Sequence, residues 1–406
     1  MLLNRKSLIA LSIFSASNAM AGAYIFPELG MMSVSTAGAG AQAVAEGAET
    51  AFANPAAMTR LETDTIAFNF QGMVSQIDYT DTGSTGIFDG GAEKTSAGTK
   101  MPAGSFYYVK PVNDKFSVGF ALASAGGSVI DYGPNFSGSL LLQDATLMTV
   151  QLNPSVAYKV NDELSIGLGL VGELGYLKQN FAGSRDTTLP ALQGSGDSLE
   201  FGYTISAHYE ADENNRYGIV YRSETNHDMD GKLESNQRST DASFNIIMPS
   251  MALISGYHSI YSELALLWSI GWSDFSKVQE TTVTLTNIDA AIAREWEDTY
   301  SISVGSHYQI QPKLRLEGGV YYETSPQDDP TIQYPDVPTG EIWKFATGVT
   351  YELTSKWRMQ MYYEFLYGGH PKIEYTTFDD TIFESQLSGE YSANVHFFGV
   401  MMNYRF

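Results

Sequence analysis

The chain has no cysteine among its 406 residues, so disulfides cannot stabilise it. Beyond its first two dozen positions it also lacks any apolar run of about 18 residues, the length a bilayer-spanning helix needs. Positive charge is scarce, with 23 Lys and Arg against 46 Asp and Glu, a net charge of −23. That balance argues against nucleic acid and against polybasic anchoring to anionic lipid. Charged residues of either sign make up only 17% while aromatics reach 13%, a composition too aromatic and too weakly charged for disorder.

What is present begins with a leader. Arg5 and Lys6 precede the apolar stretch "SLIALSIFSAS", and Ala19-Met20-Ala21 fits a small-x-small cleavage site. Residues 1–21 are therefore expected to be a cleaved signal peptide, and the mature chain to be exported with a charge of −25.

Alternation then dominates. In 146–160, Met148, Val150, Leu152, Val156 and Tyr158 oppose Thr149, Gln151, Asn153, Ser155 and Lys159, the period-2 signature of a strand with one apolar and one polar face. The same split separates Tyr300, Ile302, Val304, Tyr308 and Ile310 from Ser301, Ser303, His307 and Gln309. It recurs in 356–367, where Met359, Met361, Tyr363 and Phe365 oppose Arg358, Gln360 and Glu364. These runs exceed the roughly 5–6 residues of a soluble strand and match the roughly 9–11 tilted residues that cross a bilayer.

Short turn signals, "PVND" at 111, "VNDE" at 160, "ADEN" at 211, "HSIY" at 258, "IQPK" at 310 and "LTSK" at 353, mark six hairpins. With one strand before the first and one after the last, the pattern predicts an all-β transmembrane fold. It is a 14-stranded antiparallel outer-membrane β-barrel with short turns at one end and long loops, including 181–197 and 282–295, at the other. Closure is required because unpaired backbone groups find no water in hydrocarbon. The chain ends "FGVMMNYRF", and a terminal aromatic strand of this kind suits recognition by the barrel assembly machinery through Phe406.

Enzyme signals are weak. "GLGLVG" at 167–172 satisfies G-x-G-x-x-G, yet the surrounding residues keep alternating instead of opening a helix. Gly167 and Gly169 are better read as making room in a lumen. His208, His227 and His307 have no G-x-S-x-G or comparable serine context, and no cofactor is expected. The acidic pairs Asp328-Asp329 and Asp379-Asp380 lack calcium-loop spacing and read as loop charge beside lipopolysaccharide. Arg222, Glu224, Arg315, Glu317, Glu323, Lys344, Arg358 and Glu364 share the polar parity and are expected to pair across the interior. Between leader and first strand, "EGAETAFANPAAMTRL" at 46–61 is rich in small residues and interrupted by Pro55, which disfavours helix at Asn54.

"GAYIFPELG" at the mature start, the small-residue run into Asn54-Pro55-Ala56, "WSDFS" at 272–276, "EDTYSISVG" at 297–305 and "LEGGVYYETSP" at 316–326, in this order, resemble the FadL-type outer-membrane transporters of long-chain fatty acids and other hydrophobic compounds. The resemblance covers essentially the whole mature chain. It implies an N-terminal hatch over 22–63 inside a barrel formed by 64–406, an interior ligand pocket beside the N-terminus, and sideways release through an opening at a kinked third strand. That strand loses its alternation at Ser124, Ala125, Gly126 and Gly127, the expected gate.

On this basis the chain is expected to be a passive outer-membrane channel for hydrophobic small molecules. Long-chain fatty acid is the default cargo, and neutral or aromatic hydrocarbon the alternative. An open porin gives no reason for a hatch, and a barrel lipid hydrolase has no nucleophile context. Tyr24 and Phe26 are expected to touch cargo. Glu297 is expected to face the lumen, where a carboxylate would repel a fatty-acid head group, with Lys178 as the cation that could compensate. The partners expected are the ligand, outer-membrane lipid and lipopolysaccharide, with no nucleic acid, and the chain is expected to be a monomer.

Overall fold

Thr65–Asp81 shows how this sequence makes a wall. Asn69 and Gln71 are buried while Phe70 between them is 66% exposed, so the polar face turns in and the apolar face turns out. A water-soluble protein has the opposite arrangement; a bilayer rewards this one. The same inversion buries Thr149, Gln151 and Asn153 and exposes Leu152 and Val156.

The computed structural model describes residues 26–30, 33–124, 126–184, 190–236, 238–285, 288–377 and 384–406. The wall strands, in chain order, are β1 (Thr65–Asp81), β2 (Lys100–Pro111), β3 (Phe116–Ala123 continuing as Gly127–Asp131), β4 (Asp144–Lys159), β5 (Leu164–Phe181), β6 (Leu192–Glu210) and β7 (Asn215–Arg222 continuing as Thr225–Glu234). They are followed by β8 (Ser239–Met248 continuing as Met251–Ser259), β9 (Leu264–Ser273), β10 (Thr299–Gln311), β11 (Leu314–Glu323), β12 (Ile342–Glu352), β13 (Trp357–Tyr367) and β14 (Ser385–Arg405). Each pairs antiparallel with its sequence neighbours, and β14 closes on β1 from Thr65 opposite Arg405 to Asp81 opposite Gly389. The fourteen-strand barrel expected from the alternation is therefore the fold. No helix among the described residues is long and apolar enough to cross a membrane.

Two outer segments differ from expectation. Most of 282–295 forms a hairpin, Glu280–Leu285 with Ile288–Ala293, and β6 starts at Leu192 inside the loop expected over 181–197. Above the bilayer the wall continues as hairpins in water, where no lipid imposes a sustained apolar face, so alternation fades before pairing ends.

Aromatic side chains gather at both rims of the apolar belt. Phe116 packs on Tyr158 and Trp357 on Tyr404 near the short turns; Tyr322 packs on Trp343 toward the long loops. Tyr300 and Tyr308, both exposed on β10, are about 20 Å apart along the barrel axis for a strand tilted by roughly 40°. That is close to the height of an outer-membrane apolar band.

Residues 26–30 and 33–63 fill the lumen as short helical turns, including Thr50–Ala53 and Pro55–Arg60. Their backbone lies directly on the wall. A side chain at Gly319 would run into the Thr36 carbonyl, and one at Gly167 into the Ala56 amide, so the glycine of the "GLGLVG" stretch admits the hatch and no nucleotide.

Candidate functional site: hatch and wall break

The stretch 46–61 forms the packed heart of the hatch. Asn54 is extended, at φ −156° and ψ 94°, and caps the turn Pro55–Arg60 by accepting from the Ala56 amide at 3.1 Å. Proline suits the first position of such a turn because its missing N–H would have no partner there. The Asn54 amide donates to the Gln42 carbonyl at 2.7 Å and the Ala207 carbonyl at 3.2 Å, and the Ala56 amide also donates to Ser206 Oγ at 3.0 Å. Asn54 thus ties two hatch segments to β6. Ala48, Ala51, Phe52, Ala53, Ala56, Ala57 and Met58 are all buried.

Charge fixes the hatch laterally. Arg315 of β11 and Arg358 of β13 both hold the Glu46 carboxylate, at 2.8 and 3.1 Å. Arg315 also contacts Glu317 at 2.8 Å. Lys344 pairs with Glu28, and Arg60 with Glu210. The wall charges expected to pair across the interior mostly pair with the hatch instead; Glu224 lies exposed. Burial pushes the Glu46 carboxyl up, but Arg315 and Arg358 outweigh it and hold the group well below the usual carboxylate range. Glu49, with Arg358 only at 3.9 Å, is pushed up by burial.

The wall itself is interrupted at one place. β2 and β3 pair from Pro111 opposite Ser117 to Phe106 opposite Leu122 and then part. β2 continues on β1 as far as Lys100 opposite Val74. β3 continues on β4, but its register jumps from Ala123 opposite Gln151 to Gly127 opposite Met148, one residue more on β3 than on β4. This is a bulge, which bends a strand and ends pairing locally. Ser124 Oγ and Thr149 Oγ1 both donate to the Gly126 carbonyl, at 2.9 and 2.8 Å. Among the described residues no ladder pair joins Lys100–Ser105 to the Ser124–Ile130 stretch.

The hatch begins against this gap. Ser105 Oγ donates to the Leu29 carbonyl at 2.7 Å and Tyr107 Oη to the Gly30 carbonyl at 2.5 Å. A side chain at Gly30 would come within 2.6 Å of the Ser124 carbonyl. Phe26 packs in a buried apolar cluster with Leu29, Met73, Ala103 and Phe397, its ring 6.0 Å from that of Phe397.

Two expected pocket residues lie elsewhere. Glu297 is exposed and its amide donates to the Pro326 carbonyl at 2.7 Å. Its parity does match the inward residues of β10, but β10 starts only at Thr299, and alternation carries no meaning across non-strand backbone. Lys178 follows buried Leu177 on β5 and takes the face opposite the inward Glu173, Gly175 and Leu177. Tyr24, Ala125 and the pair Asp379-Asp380 lie outside the described residues.

An interior cavity of about 60 Å³ separates the hatch from β8–β13. Its lining includes Glu28, Val34, Leu253, Tyr321, Lys344 and Glu364. Neither Glu28 nor Glu364 was singled out in the sequence as a pocket residue, although Glu28 inside "FPELG" is a carboxylate among apolar neighbours. A second buried polar group has Ser198 Oγ 2.7 Å from His227 Nδ1 and Glu173 3.6 Å from His227 Nε2, partners that the sequence around His227 does not indicate. Its members come from β5, β6 and β7, and Glu173 is further engaged by Thr225.

A closed lipid-facing barrel, a hatch clamped inside it and a break in one wall define an outer-membrane transport barrel. The family profile for outer membrane protein transport proteins (OMPP1/FadL/TodX) matches residues 12–406, and the chain belongs to that family. It is 24% identical over 461 residues to outer membrane protein P1 of Haemophilus influenzae, covering 99% of each chain. It is 23% identical over 453 residues to the long-chain fatty acid transport protein of Escherichia coli K12, covering 99% and 98%. In fold it resembles a Pseudomonas aeruginosa FadL homologue, with TM-score 0.85, 19% identity and coverage of 94% and 99%. It also resembles the Pseudomonas putida toluene transporter TodX, with TM-score 0.68, 14% identity and coverage of 89% and 94%.

Proposed function

We propose that the chain takes up hydrophobic small molecules and releases them sideways, through the gap between β2 and β3, into the outer membrane. The observation that carries this reading is the parting of β2 from β3 beyond Phe106 and Leu122, with hatch residues lying across it. Each methylene kept out of water is worth about 0.8 kcal/mol, so a sideways exit preserves what an aqueous pore would forfeit. Ser124, Ala125, Gly126 and Gly127 form the gate in this reading. Phe26 and its apolar cluster supply the surface that cargo meets beside it, with Tyr24 upstream as a second contact. Asn54-Pro55-Ala56 keeps a structural role, and residues 22–63 act as the hatch of a barrel over 64–406.

Neutral or aromatic hydrocarbons are favoured as cargo over long-chain fatty acids. Among similar proteins are a toluene transporter and a monoaromatic hydrocarbon channel, alongside the fatty acid transporters. In the interior cavity, Lys344 is the only cation among the described lining residues and is already paired with Glu28, so a fatty carboxylate would meet carboxylates there. The protein works as a monomer among outer-membrane lipid and lipopolysaccharide, with Phe406 available to the assembly machinery.

The test compares toluene and oleate uptake in a deletion strain with and without the gene, and records single-channel conductance of the purified protein. Restored toluene uptake with little ion conductance supports the reading. Large steady conductance with no restored uptake overturns it.

A further inference from the structure

Every strand of a closed barrel has a neighbour on both sides, so a proline in the wall fails one of them, because it has no N–H to donate. The ladder tells which neighbour Pro102 of β2 fails. Just before β2, the Ser75 amide donates to the Thr99 carbonyl at 2.9 Å, in the register that sets Val74 opposite Lys100. Odd-numbered residues here therefore bond to β1. Hydrogen bonding alternates from side to side along a strand, so even-numbered residues bond to β3, and the Val112 amide accordingly donates to the Phe116 carbonyl at 2.7 Å. The missing donor of Pro102 thus faces the gap.

Continuing the register of Phe106 opposite Leu122 places Pro102 opposite Gly126. The bond lost is the one to the Gly126 carbonyl, and that carbonyl accepts instead from Ser124 Oγ and Thr149 Oγ1, at 2.9 and 2.8 Å. Two donors fill both lone pairs of a carbonyl oxygen. Ser124 is 1% exposed and Thr149 0%, so the oxygen is satisfied in a buried setting without β2. A proline by itself does less than this. At Pro154 of β4 the ladder with β5 is interrupted between Leu152 opposite Gly172 and Ser155 opposite Gly169, yet it runs on at either side. Between β2 and β3 no ladder pair follows among the described residues of Ser124–Ile130.

We propose that Pro102, Ser124 and Thr149 hold the wall open as a unit. Pro102 withholds the donor that would zip β2 to β3, and the two hydroxyls satisfy the carbonyl left without it. This rests on the reading of the gap as the exit for hydrophobic cargo. In hydrocarbon a bare carbonyl has no water to turn to and would favour closure onto any donor at the facing edge. Capped by hydroxyls, the same carbonyl leaves the edges parted. All three residues act on the wall and not on cargo, so their test includes a readout besides transport.

Pro102→Val restores an N–H directed at β3, and Thr149→Val frees one lone pair of the Gly126 carbonyl at nearly constant side-chain volume. Toluene uptake into proteoliposomes and amide hydrogen exchange over residues 100–105 are measured on the full-length purified protein. The two substitutions together should cut uptake by about fivefold, the effect of one backbone hydrogen bond, and slow exchange over 100–105. Pro102→Val alone should give a smaller loss and a smaller slowing. Thr149→Val alone should stay within about twofold of the wild type in uptake, because Pro102 still offers no donor. Heat-modifiable migration on gels verifies that each variant is folded. Unaltered uptake and exchange in a folded variant carrying Pro102→Val, or an equal loss in Thr149→Val alone, overturns the proposal while wild-type toluene uptake still supports the channel. A wild type that takes up no toluene overturns the channel reading, and exchange over 100–105 then decides the role of Pro102 separately.

Discussion

Glu46 of the hatch and Arg315 of β11 lie 2.8 Å apart although 269 residues separate them in sequence. Arg358 of β13 reaches the same carboxylate at 3.1 Å. One acidic side chain thus fixes the lumen plug to two separate strands. Glu46→Gln leaves both arginines without this partner. Removing one partner of a fully buried pair costs about 3–5 kcal/mol; Glu46 retains 23% side-chain exposure, so the expected loss is smaller. The variant should show a lower temperature for its heat-modifiable gel transition and a raised ion leak in planar bilayers.

Acid should release the same clamp within a defined window. Glu46 titrates below its ordinary value of 4.5, because its two arginines outweigh burial. Its contribution is therefore complete above that value and declines as pH falls from it toward the lower folded value. Glu49 has the opposite sign: burial raises its pKa, so its protonation on acidification relieves a cost. Conductance should stay low from pH 7 to about 4.5 and rise only below it, where the released Glu46, but not the clamped one, binds a proton and so offsets the clamp. A rise centred near pH 6 would place the trigger on another group.

At the outer mouth, residues 333–339 of the β11–β12 loop are all buried, although loops ordinarily run over a surface. Arg294 grips Asp336 through two nitrogens, at 2.8 and 2.5 Å, while Tyr132 donates to the Pro335 carbonyl at 2.9 Å. Asp336→Asn takes the charge from this latch and leaves Arg294 facing a neutral group. Amide hydrogen exchange over 333–339 should accelerate at least about tenfold, with exchange in β10 and β11 unchanged.

The barrel was legible because the bilayer imposes one rule on every strand. Tyr300, Ile302, Val304, Tyr308 and Ile310 must face lipid, so the period of two survives along β10 and its partners. The short turns were legible because they are local. The hatch was expected through the family resemblance, with Pro55 and its small neighbours indicating only a packed turn, and its fastening was not legible, since nothing near Glu46 indicates Arg315 or Arg358. Glu297 shows the same limit from the other side: the parity was right for β10 and meaningless before Thr299. The carboxylates of Glu28 and Glu364 meet only once the chain has closed into a ring.

Deleting Gly126 tests sideways release most directly. The deletion removes the extra residue between Ala123 opposite Gln151 and Gly127 opposite Met148, letting β3 run straight and pair with β2 along Lys100–Ser105. Toluene uptake into proteoliposomes should fall to the level of protein-free vesicles, while the barrel keeps its heat-modifiable migration and its low conductance. Undiminished uptake by a folded deletion variant would contradict exit through the wall.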